Sequence, residues 1–472
     1  MGDIHTKASP LRWQRRHGLL GGGAALLGSC AVVAAVAIGS GAASAATGAA
    51  AQGRANDSAS LHASSSGCRS GATRITFWAW APGYNQIVSA FNSSHPGICV
   101  TMDDVGIANV EYTKIASALK ANSGAPDVAE VEYLELPSLI ATKSVVNLVP
   151  YGIDSYRSDF VPSAWAAVSQ GSGVYAMPGD IGPMGFYYDS SLLSKHHITP
   201  PSTWSQFKSD AARLHGADSS AYLSDFDPDD VEWLLAMMQA YGAFPFAYNG
   251  GRNVTIDFTG SKEMAFAKYW DGLVAAHDVN TVPDFSNTFW TDLDNGTDAS
   301  WLMAAWGPGY MAPNMKKTVG DWRAAPIPQA SSRANVEGSW GGSTAAVITG
   351  TKDPKQAATF AEYFFGSLKA WKLHADKVGQ AFPAYKPLLD SSSFKASKIP
   401  LSGSSEPQQV FAKEAAAITI AKWPPIMQYV LTEGGDAFAG VLKGSETMTS
   451  AFQSFQKQLS SYASSEGLTV QT

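Results

Sequence analysis

Cysteine is scarce in this sequence, with three residues among 472. The sequence also contains no Cys-x-x-Cys pair, no Gly-x-Ser-x-Gly elbow, no His-Glu-x-x-His and no phosphate-binding glycine loop. These motifs mark common redox, hydrolytic, zinc-dependent and nucleotide-dependent enzymes. We therefore expect no catalytic residue, no cofactor and no metal ion.

Charged side chains are also few, at 15% of the residues, and they form no basic stripe. The formal net charge is −7, so nucleic acid is not an expected partner. Beyond the N-terminus, no apolar run reaches the roughly 20 residues that a membrane-spanning helix needs.

The N-terminal segment, residues 1–45, has the pattern of an export signal. It has a basic start, an apolar stretch and a small-x-small cleavage site at Ala43-Ser44-Ala45. Arg15-Arg16 leaves both twin-arginine and general secretory export open. Lipidation at Cys30 is an alternative to cleavage after Ala45, and an uncleaved membrane anchor is a third possibility. Residues 46–71 are rich in Ala, Ser and Gly and predict a flexible tether.

Two cysteines remain after export, Cys68 and Cys99. An even pair in an oxidising compartment favours a disulfide. Cys68 precedes the first predicted strand and Cys99 lies within the second, so adjacent parallel strands would bring them close.

Strands and helices alternate through the rest of the chain. Residues 74–80, 85–93 and 98–102 predict a right-handed strand–helix–strand unit. A third strand ends at Glu132 and Tyr133. Ligands of open α/β sheets lie outside the carboxyl ends of the strands, which makes both residues candidate ligand contacts. A solvated strand end explains them equally well.

The stretch 173–207 is the most informative part of the chain for the prediction of its fold. It predicts a buried strand, a turn at Pro178-Gly179-Asp180, a second strand at 184–188, a helix that starts at Asp189-Ser190, and a later helix capped by Ser202 or Thr203.

Motifs in this stretch and elsewhere resemble those of the family 1 extracellular solute-binding proteins, the carbohydrate-binding receptors of bacterial ABC importers. The matching positions are Pro126, Asp127, Val128, Pro178, Asp180, Tyr187, Tyr188, Pro200, Pro201, Thr203, Trp204, Phe207, Gly341 and Gly342. Each motif alone is weak, but their order holds from Thr73 to Ala463.

The resemblance implies an α/β fold with two lobes, each a mixed, mostly parallel sheet flanked by helices, and a ligand cleft between them. The N-terminal lobe is expected at 72–180, with about 340–385 returning to it. The C-terminal lobe is expected at 181–339, completed by about 386–465. The chain would cross near Asp180, near Gly338–Gly342 and after Pro383.

Aromatic residues make up 11% of the chain, which predicts either a tryptophan-rich core or a site that stacks on sugar rings. Trp306 and Tyr310 flank the turn Gly307-Pro308-Gly309, where a ring is poorly placed for burial. The full set of expected ligand contacts is Trp80, Tyr84, Glu132, Tyr133, Asp180, Trp306, Tyr310, Trp340, Gly341, Gly342 and Trp423.

Acidic clusters allow other interpretations. The run Asp225–Asp230 could hold calcium, but Asp227 or Asp229 as a helix N-cap explains it without a metal. Asp292 and Asp294 could serve a glycosidase, which needs two carboxyls at a set separation. Near the C-terminus, Ser445 is expected to cap the last helix.

The resemblance thus implies an exported, monomeric receptor that captures a sugar between closing lobes and delivers it to ABC transporter permease subunits.

 The number of aromatic residues favours an oligosaccharide over a single sugar. Contact with a membrane is expected only through the permease or an N-terminal anchor. A secreted carbohydrate-active enzyme and a sensor that binds a non-sugar solute are the alternatives.

Overall fold

The computed structural model describes residues 68–375, 381–398, 400–403 and 406–472. The predicted export signal, Cys30 and the predicted tether up to residue 67 lie outside the described residues.

Strands and helices alternate as the sequence predicts. The strands are β1 (Thr73–Trp78), β2 (Ile98–Asp103), β3 (Val128–Glu132), β4 (Ser169–Gln170), β5 (Gly173–Val174), β6 (Met177–Pro178), β7 (Met184–Asp189), β8 (Phe246–Tyr248), β9 (Asn253–Ile256), β10 (Ser300–Ala304), β11 (Trp322–Pro326), β12 (Ser343–Val347) and β13 (Thr469–Gln471).

The longer helices in the first half are α1 (Tyr84–Ser94), α2 (Asn109–Lys120), α3 (Leu136–Ala141), α4 (Pro162–Ala167), α5 (Ser190–Lys195), α6 (Trp204–Ala217) and α7 (Val231–Tyr241). They are followed by α8 (Ser261–Ala275), α9 (Asn287–Asn295), α10 (Pro308–Asn314), α11 (Pro354–Gly366), α12 (Leu368–Leu373), α13 (Lys386–Leu389), α14 (Ser392–Lys395), α15 (Pro407–Glu414), α16 (Met427–Leu442) and α17 (Met448–Ser465).

The first lobe is built on a five-stranded sheet of order β2-β1-β3-β12-β6. β1 runs parallel to β2 and β3, and β12 runs antiparallel to β3 and β6. The buried residues Ile75 and Phe77 alternate along β1, and Phe77 packs edge-to-face on Phe360 and Phe364 of α11. This packing fixes α11, which follows β12, on the first lobe.

The second lobe contains a three-stranded sheet of order β10-β7-β11. Both outer strands run antiparallel to β7, so the prediction of a mostly parallel sheet is wrong for this lobe. The reason is the connection: β10 and β11 run in the same direction, joined through α10, and β7 enters between them from the other lobe. A second three-stranded sheet has the order β13-β9-β8.

Three helix starts were predicted here, and one of them has a different cap. The helix α5 starts at Asp189-Ser190 as predicted, with Asp189 as its cap, and Thr203, one of the two predicted candidates, caps α6. The last helix, α17, is capped by Thr447, which accepts from the Ser450 N–H, and not by Ser445. Ser445 still belongs to the preceding turn, because its N–H donates to the Gly440 carbonyl at 2.9 Å.

Most tryptophans belong to the core. The fully buried ones are Trp233, Trp270, Trp301, Trp322 and Trp371. Trp270 stacks on Phe226 with ring centroids 4.3 Å apart, and the Trp233 indole N–H donates to the Leu302 carbonyl at 2.8 Å. A tryptophan-rich core therefore explains a large part of the aromatic content.

Three segments cross side by side between the two lobes. One joins β6 to β7, one leads back from β11 to β12, and the third precedes α13. Backbone hydrogen bonds join them: Gly179 N–H to Ser343 O (3.0 Å), Trp340 N–H to Gly182 O (2.9 Å), Met184 N–H to Gly338 O (3.1 Å), Ile181 N–H to Phe382 O (2.8 Å) and Ala384 N–H to Gly179 O (3.0 Å).

A disulfide joins Cys68 to Cys99, with Cα atoms 5.4 Å apart. It ties the start of β1 to β2. In the described part of the chain, no helix is long and apolar enough to cross a membrane.

Replacing both cysteines, as Cys68→Ser with Cys99→Ser, should destabilise the first lobe. Closing a loop of 31 residues restricts the unfolded chain, which corresponds to roughly 3–4 kcal/mol of stability. Denaturant unfolding of the variant and of the oxidised and reduced wild type measures this loss. Equal stability of all three forms would contradict the prediction.

Candidate functional site

The carboxyl end of β3 carries two acidic side chains in different surroundings. Glu130 is buried, and its Oε2 accepts hydrogen bonds from the backbone N–H groups of Trp80 (3.0 Å) and Ala81 (3.3 Å). Glu132 is half-buried, and the Tyr112 hydroxyl donates to its Oε2 at 3.1 Å. The end of β3 thus holds one fully buried carboxyl group, Glu130, and one that keeps some exposure, Glu132.

Asp180 lies on the first crossing segment, next to the second. Its Oδ1 accepts a hydrogen bond from the Ser343 N–H at 2.7 Å. Gly342 precedes Ser343 with φ of 107°, and a Cβ there would lie 2.9 Å from both the Asp180 carbonyl oxygen and the Tyr133 ring. Only glycine permits this close approach of two crossing segments and a ring.

Four aromatic rings form a wall on the second-lobe side, which we call the aromatic wall: Phe285, Trp306, Tyr310 and Trp340. Trp306 is half-buried, and its indole N–H donates to the Trp340 carbonyl at 2.8 Å. Its ring centroid lies 4.8 Å from that of Trp340 and 5.5 Å from that of Tyr310. The ring centroid of Phe285 lies 5.7 Å from that of Tyr310 and 6.0 Å from that of Trp340.

Exposure differs within the aromatic wall. Trp340 is 3% exposed, whereas Tyr310 is 39% exposed at the start of α10. Tyr310, Phe285 (37% exposed) and the half-buried Trp306 are therefore the members with ring surface available to a ligand. Gly341, with φ of 69°, follows Trp340 and lies beside the Trp306 indole.

A cavity of about 1020 Å³ lies between Trp165 of the first lobe and Tyr248 of the second, and Tyr133 and Trp423 also line it. A much smaller one, of about 20 Å³, is lined by Tyr133, Trp423 and Glu232, among others. Tyr133 and Trp423, at 2% and 7% exposure, thus separate the two spaces.

Two acidic residues on the second lobe were missed by sequence reasoning. Asp230 caps α7 through its Oδ1, which accepts from the Trp233 N–H at 2.9 Å. Glu232, in the first turn of α7, lines the small cavity. The acidic run that precedes α7 was visible in the sequence, but capping alone explained it, and nothing local indicated that α7 faces β3.

Burial raises the pKa of Glu130 to about 8, and repulsion by Asp180 adds to the effect. The N–H groups of Trp80 and Ala81 oppose it. Burial likewise raises the pKa of Asp180 to about 6, opposed by the hydrogen bond from the Ser343 N–H.

Burial also raises the pKa of Glu132 to about 7. The hydrogen bond from Tyr112 lowers it, whereas the Asp180 and Asp230 carboxylates raise it further. Burial, Glu132 and Asp230 together raise the pKa of Glu232 well above its ordinary value. Carboxyl groups of the two lobes therefore disfavour one another's ionisation.

Two of the predicted ligand contacts, Tyr84 and Trp80, pack against other aromatic residues of the first lobe. Tyr84 is 2% exposed and packs edge-to-face on Phe364 and His374, so neither face of its ring is open for stacking. The stacking role predicted for Tyr84 does not fit this packing. Trp80 is half-buried and lies edge-to-face on Tyr112 at 6.0 Å, with part of its surface free.

The other acidic clusters have structural partners. In the run Asp225–Asp230 the helix cap is Asp230, and not Asp227 or Asp229 as predicted. No group of three or more His, Cys, Asp or Glu side chains among the described residues is arranged to hold a metal ion. Asp294 accepts from the N–H groups of Lys316 and Lys317 at 2.8 and 2.7 Å and so fixes the turn after α10.

Two lobes joined by three adjacent crossings, with aromatic and acidic side chains at the cleft, define a two-lobed binding protein. The chain belongs to the bacterial extracellular solute-binding proteins, a family that matches residues 79–367. Members of this family are extracellular proteins, so this protein acts outside the cytoplasm.

Several characterised relatives are similar over much of the chain. The arabinooligosaccharide-binding protein of Halalkalibacterium halodurans is 22% identical over 301 residues, which cover 61% of this chain and 66% of that protein. The ABC transporter associated binding protein of B. animalis subsp. lactis Bl-04, solved with beta-1,6-galactobiose, is 28% identical with a TM-score of 0.74. The comparison covers 85% of this chain and 100% of that one.

The galacto-N-biose-/lacto-N-biose I-binding protein of Bifidobacterium longum has the same fold, with a TM-score of 0.75 and 22% identity. It was solved with lacto-N-biose, and the comparison covers 85% of this chain and 100% of that chain.

Gly342→Ala should destabilise the protein more than Gly350→Ala. Both glycines have positive φ, 107° and 97°, so alanine costs roughly 1–3 kcal/mol of backbone strain at either position. Only at Gly342 would the new methyl group also meet the Asp180 carbonyl and the Tyr133 ring. Thermal unfolding of both variants measures the difference, and equal losses would show that the close approach is unimportant.

The ligand-free protein should be more stable at pH 5.5 than at pH 8. The folded state raises the pKa values of Glu130, Glu132 and Asp180, so it binds protons more tightly than the unfolded chain. Protonation therefore favours the folded state, and stability falls as pH rises from about 4 to 8.

Melting temperatures across this range measure the effect. Glu130→Gln should flatten the profile, and Glu466→Gln, at an exposed position, should leave it unchanged. A profile that rises toward pH 8 would contradict the prediction.

Proposed function

We propose that this protein captures an oligosaccharide in the cleft between its two lobes and delivers it to the permease subunits of an ABC transporter. The lobes are 72–180 with about 340–385, and 181–339 with about 386–465. The proposal assumes that the lobes close over the ligand by rotation about the three crossing segments.

The observation that carries the proposal is the pairing of exposed ring surface with carboxylates at the cleft. Tyr310 and Trp306 offer apolar faces for the C–H faces of sugar rings, and Glu132 and Asp180 offer acceptors for hydroxyl groups. Trp423 and Tyr133 would contact the ligand further along, beside the large cavity. That cavity, of about 1020 Å³, has room for more than one sugar ring, although Trp306, Tyr310, Glu132 and Asp180 do not line it.

Relatives bind short saccharides, which supports this ligand class. The Halalkalibacterium halodurans protein is named for arabinooligosaccharides, and the B. animalis protein was solved with beta-1,6-galactobiose. We expect the protein to work as a monomer that leaves its ligand chemically intact. An enzyme or a sensor for a non-sugar solute remains the alternative that the binding experiment tests.

Tyr310→Ala should raise the dissociation constant for a bound oligosaccharide about fivefold, since a stacked ring contributes on the order of 1 kcal/mol. Phe244→Ala is the matched control, because Phe244 is 38% exposed and Tyr310 is 39% exposed. Calorimetric titration with beta-1,6-galactobiose, arabinobiose, maltose and cellobiose gives the constants, and chromatography shows whether the sugar stays intact.

Binding of an intact sugar that Tyr310→Ala weakens and Phe244→Ala does not would support the proposal. Equal effects of the two variants would remove Tyr310 from the site. Cleavage of the sugar would favour the enzyme, and no binding to any of the four would overturn the oligosaccharide assignment.

A further inference from the structure

Phe285 has a backbone conformation that a phenylalanine rarely adopts. Its φ is +59°, in the left-handed region. It is the third residue of a turn that the Ser286 N–H closes with a hydrogen bond to the Pro283 carbonyl at 3.3 Å. At this position of a turn, a positive φ normally falls on glycine or asparagine. A bulky side chain there carries strain, and strain of this kind is concentrated at functional residues.

The ring of Phe285 also keeps much of its surface in contact with solvent. The residue is 37% exposed, whereas its aromatic neighbours Trp301 and Phe289 are fully buried. The ring centroid of Phe285 lies 5.6 Å from that of Trp301 and 6.4 Å from that of Phe289. Packing on these rings therefore holds Phe285 in place without covering it.

The exposed surface of Phe285 belongs to the aromatic wall. Its ring stands edge-to-face against Tyr310, with centroids 5.7 Å apart and an angle of 72°. Trp306 approaches Tyr310 in the same way, at 5.5 Å and 72°. Phe285 and Trp306 also both lie beside Trp340, at 6.0 and 4.8 Å. The free surfaces of the three exposed rings therefore adjoin one another.

Buried acidic side chains fix the segment that carries Phe285. The Asp284 N–H donates to Oδ2 of Asp227 at 2.6 Å, and Asp227 is 2% exposed. Four residues earlier, the Asn280 amide group donates to Oδ2 of Asp298 at 3.0 Å, and Asp298 is fully buried. Two buried carboxyl groups thus hold the backbone on the N-terminal side of Phe285.

The C-terminal side of the turn is fixed by the start of α9. Ser286 caps this helix, because its Oγ accepts a hydrogen bond from the Phe289 N–H at 3.1 Å. The turn is therefore held on both sides by contacts that do not involve the Phe285 ring. A ring that is locked in place by supporting residues is suited to a binding site. This arrangement also gives a role to Asp227, which caps no helix.

We propose that Phe285 is a further ligand-contacting residue of the cleft, where its ring packs on a sugar face beside Tyr310, and that Asp227 is a positioning residue that holds its loop. The inference rests on the proposed function. A phenyl ring has no hydrogen-bonding group, so this part of the aromatic wall contacts the apolar C–H face of a sugar and not its hydroxyl groups.

Calorimetric titration tests the role of the ring, with whichever of beta-1,6-galactobiose, arabinobiose, maltose and cellobiose binds the wild type. Phe285→Leu keeps apolar bulk over Trp301 but removes the flat face, and should raise the dissociation constant about fivefold. Phe285→Tyr keeps the ring and should bind as the wild type does. Phe244→Leu is the matched control, because Phe244 is 38% exposed, and should leave the dissociation constant unchanged.

The role of Asp227 is tested by its coupling to Phe285. Asp227→Ala removes the acceptor of the Asp284 N–H and should weaken binding. It should cause no further loss when combined with Phe285→Leu, because both changes act on the same contact. Burial raises the pKa of Asp227 to about 10, so its carboxyl group is neutral at pH 7. Asp227→Asn keeps a neutral oxygen acceptor and should preserve binding. Melting temperatures of all variants set a titration temperature at which each is folded.

Wild-type affinity in Phe285→Leu, or an equal loss in Phe244→Leu, would overturn the ligand contact and leave the proposed function standing. A loss in Phe285→Tyr as large as that in Phe285→Leu would also overturn it, since the flat ring is kept. An additional loss when Asp227→Ala is combined with Phe285→Leu, or a loss in Asp227→Asn, would overturn the positioning role. If the wild type binds none of the four disaccharides, the inference and the proposed function both fail.

Discussion

The structure depends on how closely three crossing segments approach one another between the lobes. The Asp180 carboxylate holds the Ser343 N–H at 2.7 Å, and Gly342 leaves room for the Asp180 carbonyl and the Tyr133 ring. At Gly182 a Cβ would lie 1.8 Å from the Trp340 carbonyl oxygen. These contacts set the spacing of the two lobes and place Trp340, and through its carbonyl Trp306, at the cleft.

The same residue types serve two purposes in this chain. Tryptophans such as Trp233 and Trp270 fill the second lobe, where ring packing and indole hydrogen bonds satisfy them. Trp306 keeps part of its ring free because a Gly-Pro-Gly turn follows it and its N–H is already bonded. Local sequence at the turn, and not composition, separates the two groups.

Much of the fold could be predicted from the sequence, because periodicity, caps and turn residues act over short distances. The strand–helix–strand start, the start of α5 at Asp189-Ser190 and the cap at Thr203 follow from such signals, whereas the two-lobed class followed from the resemblance to a family. The antiparallel sheet around β7 could not be predicted from local signals, since strand direction depends on partners more than 100 residues away. The core packing of Tyr84 was missed for the same reason: His374 and Phe364 are distant in sequence.

Acidic groups on both lobes also bear on lobe closure. Burial disfavours the charged forms of Glu132 and Glu232, and the charge of Asp230 on the second lobe disfavours both of them further. Closure without a ligand therefore costs free energy, through protonation or through repulsion. A ligand that forms hydrogen bonds to both sides removes that cost and shifts the population toward the closed form. Charge repulsion at the cleft would thus make closure depend on binding, which is what a receptor that signals its loaded state to a partner requires.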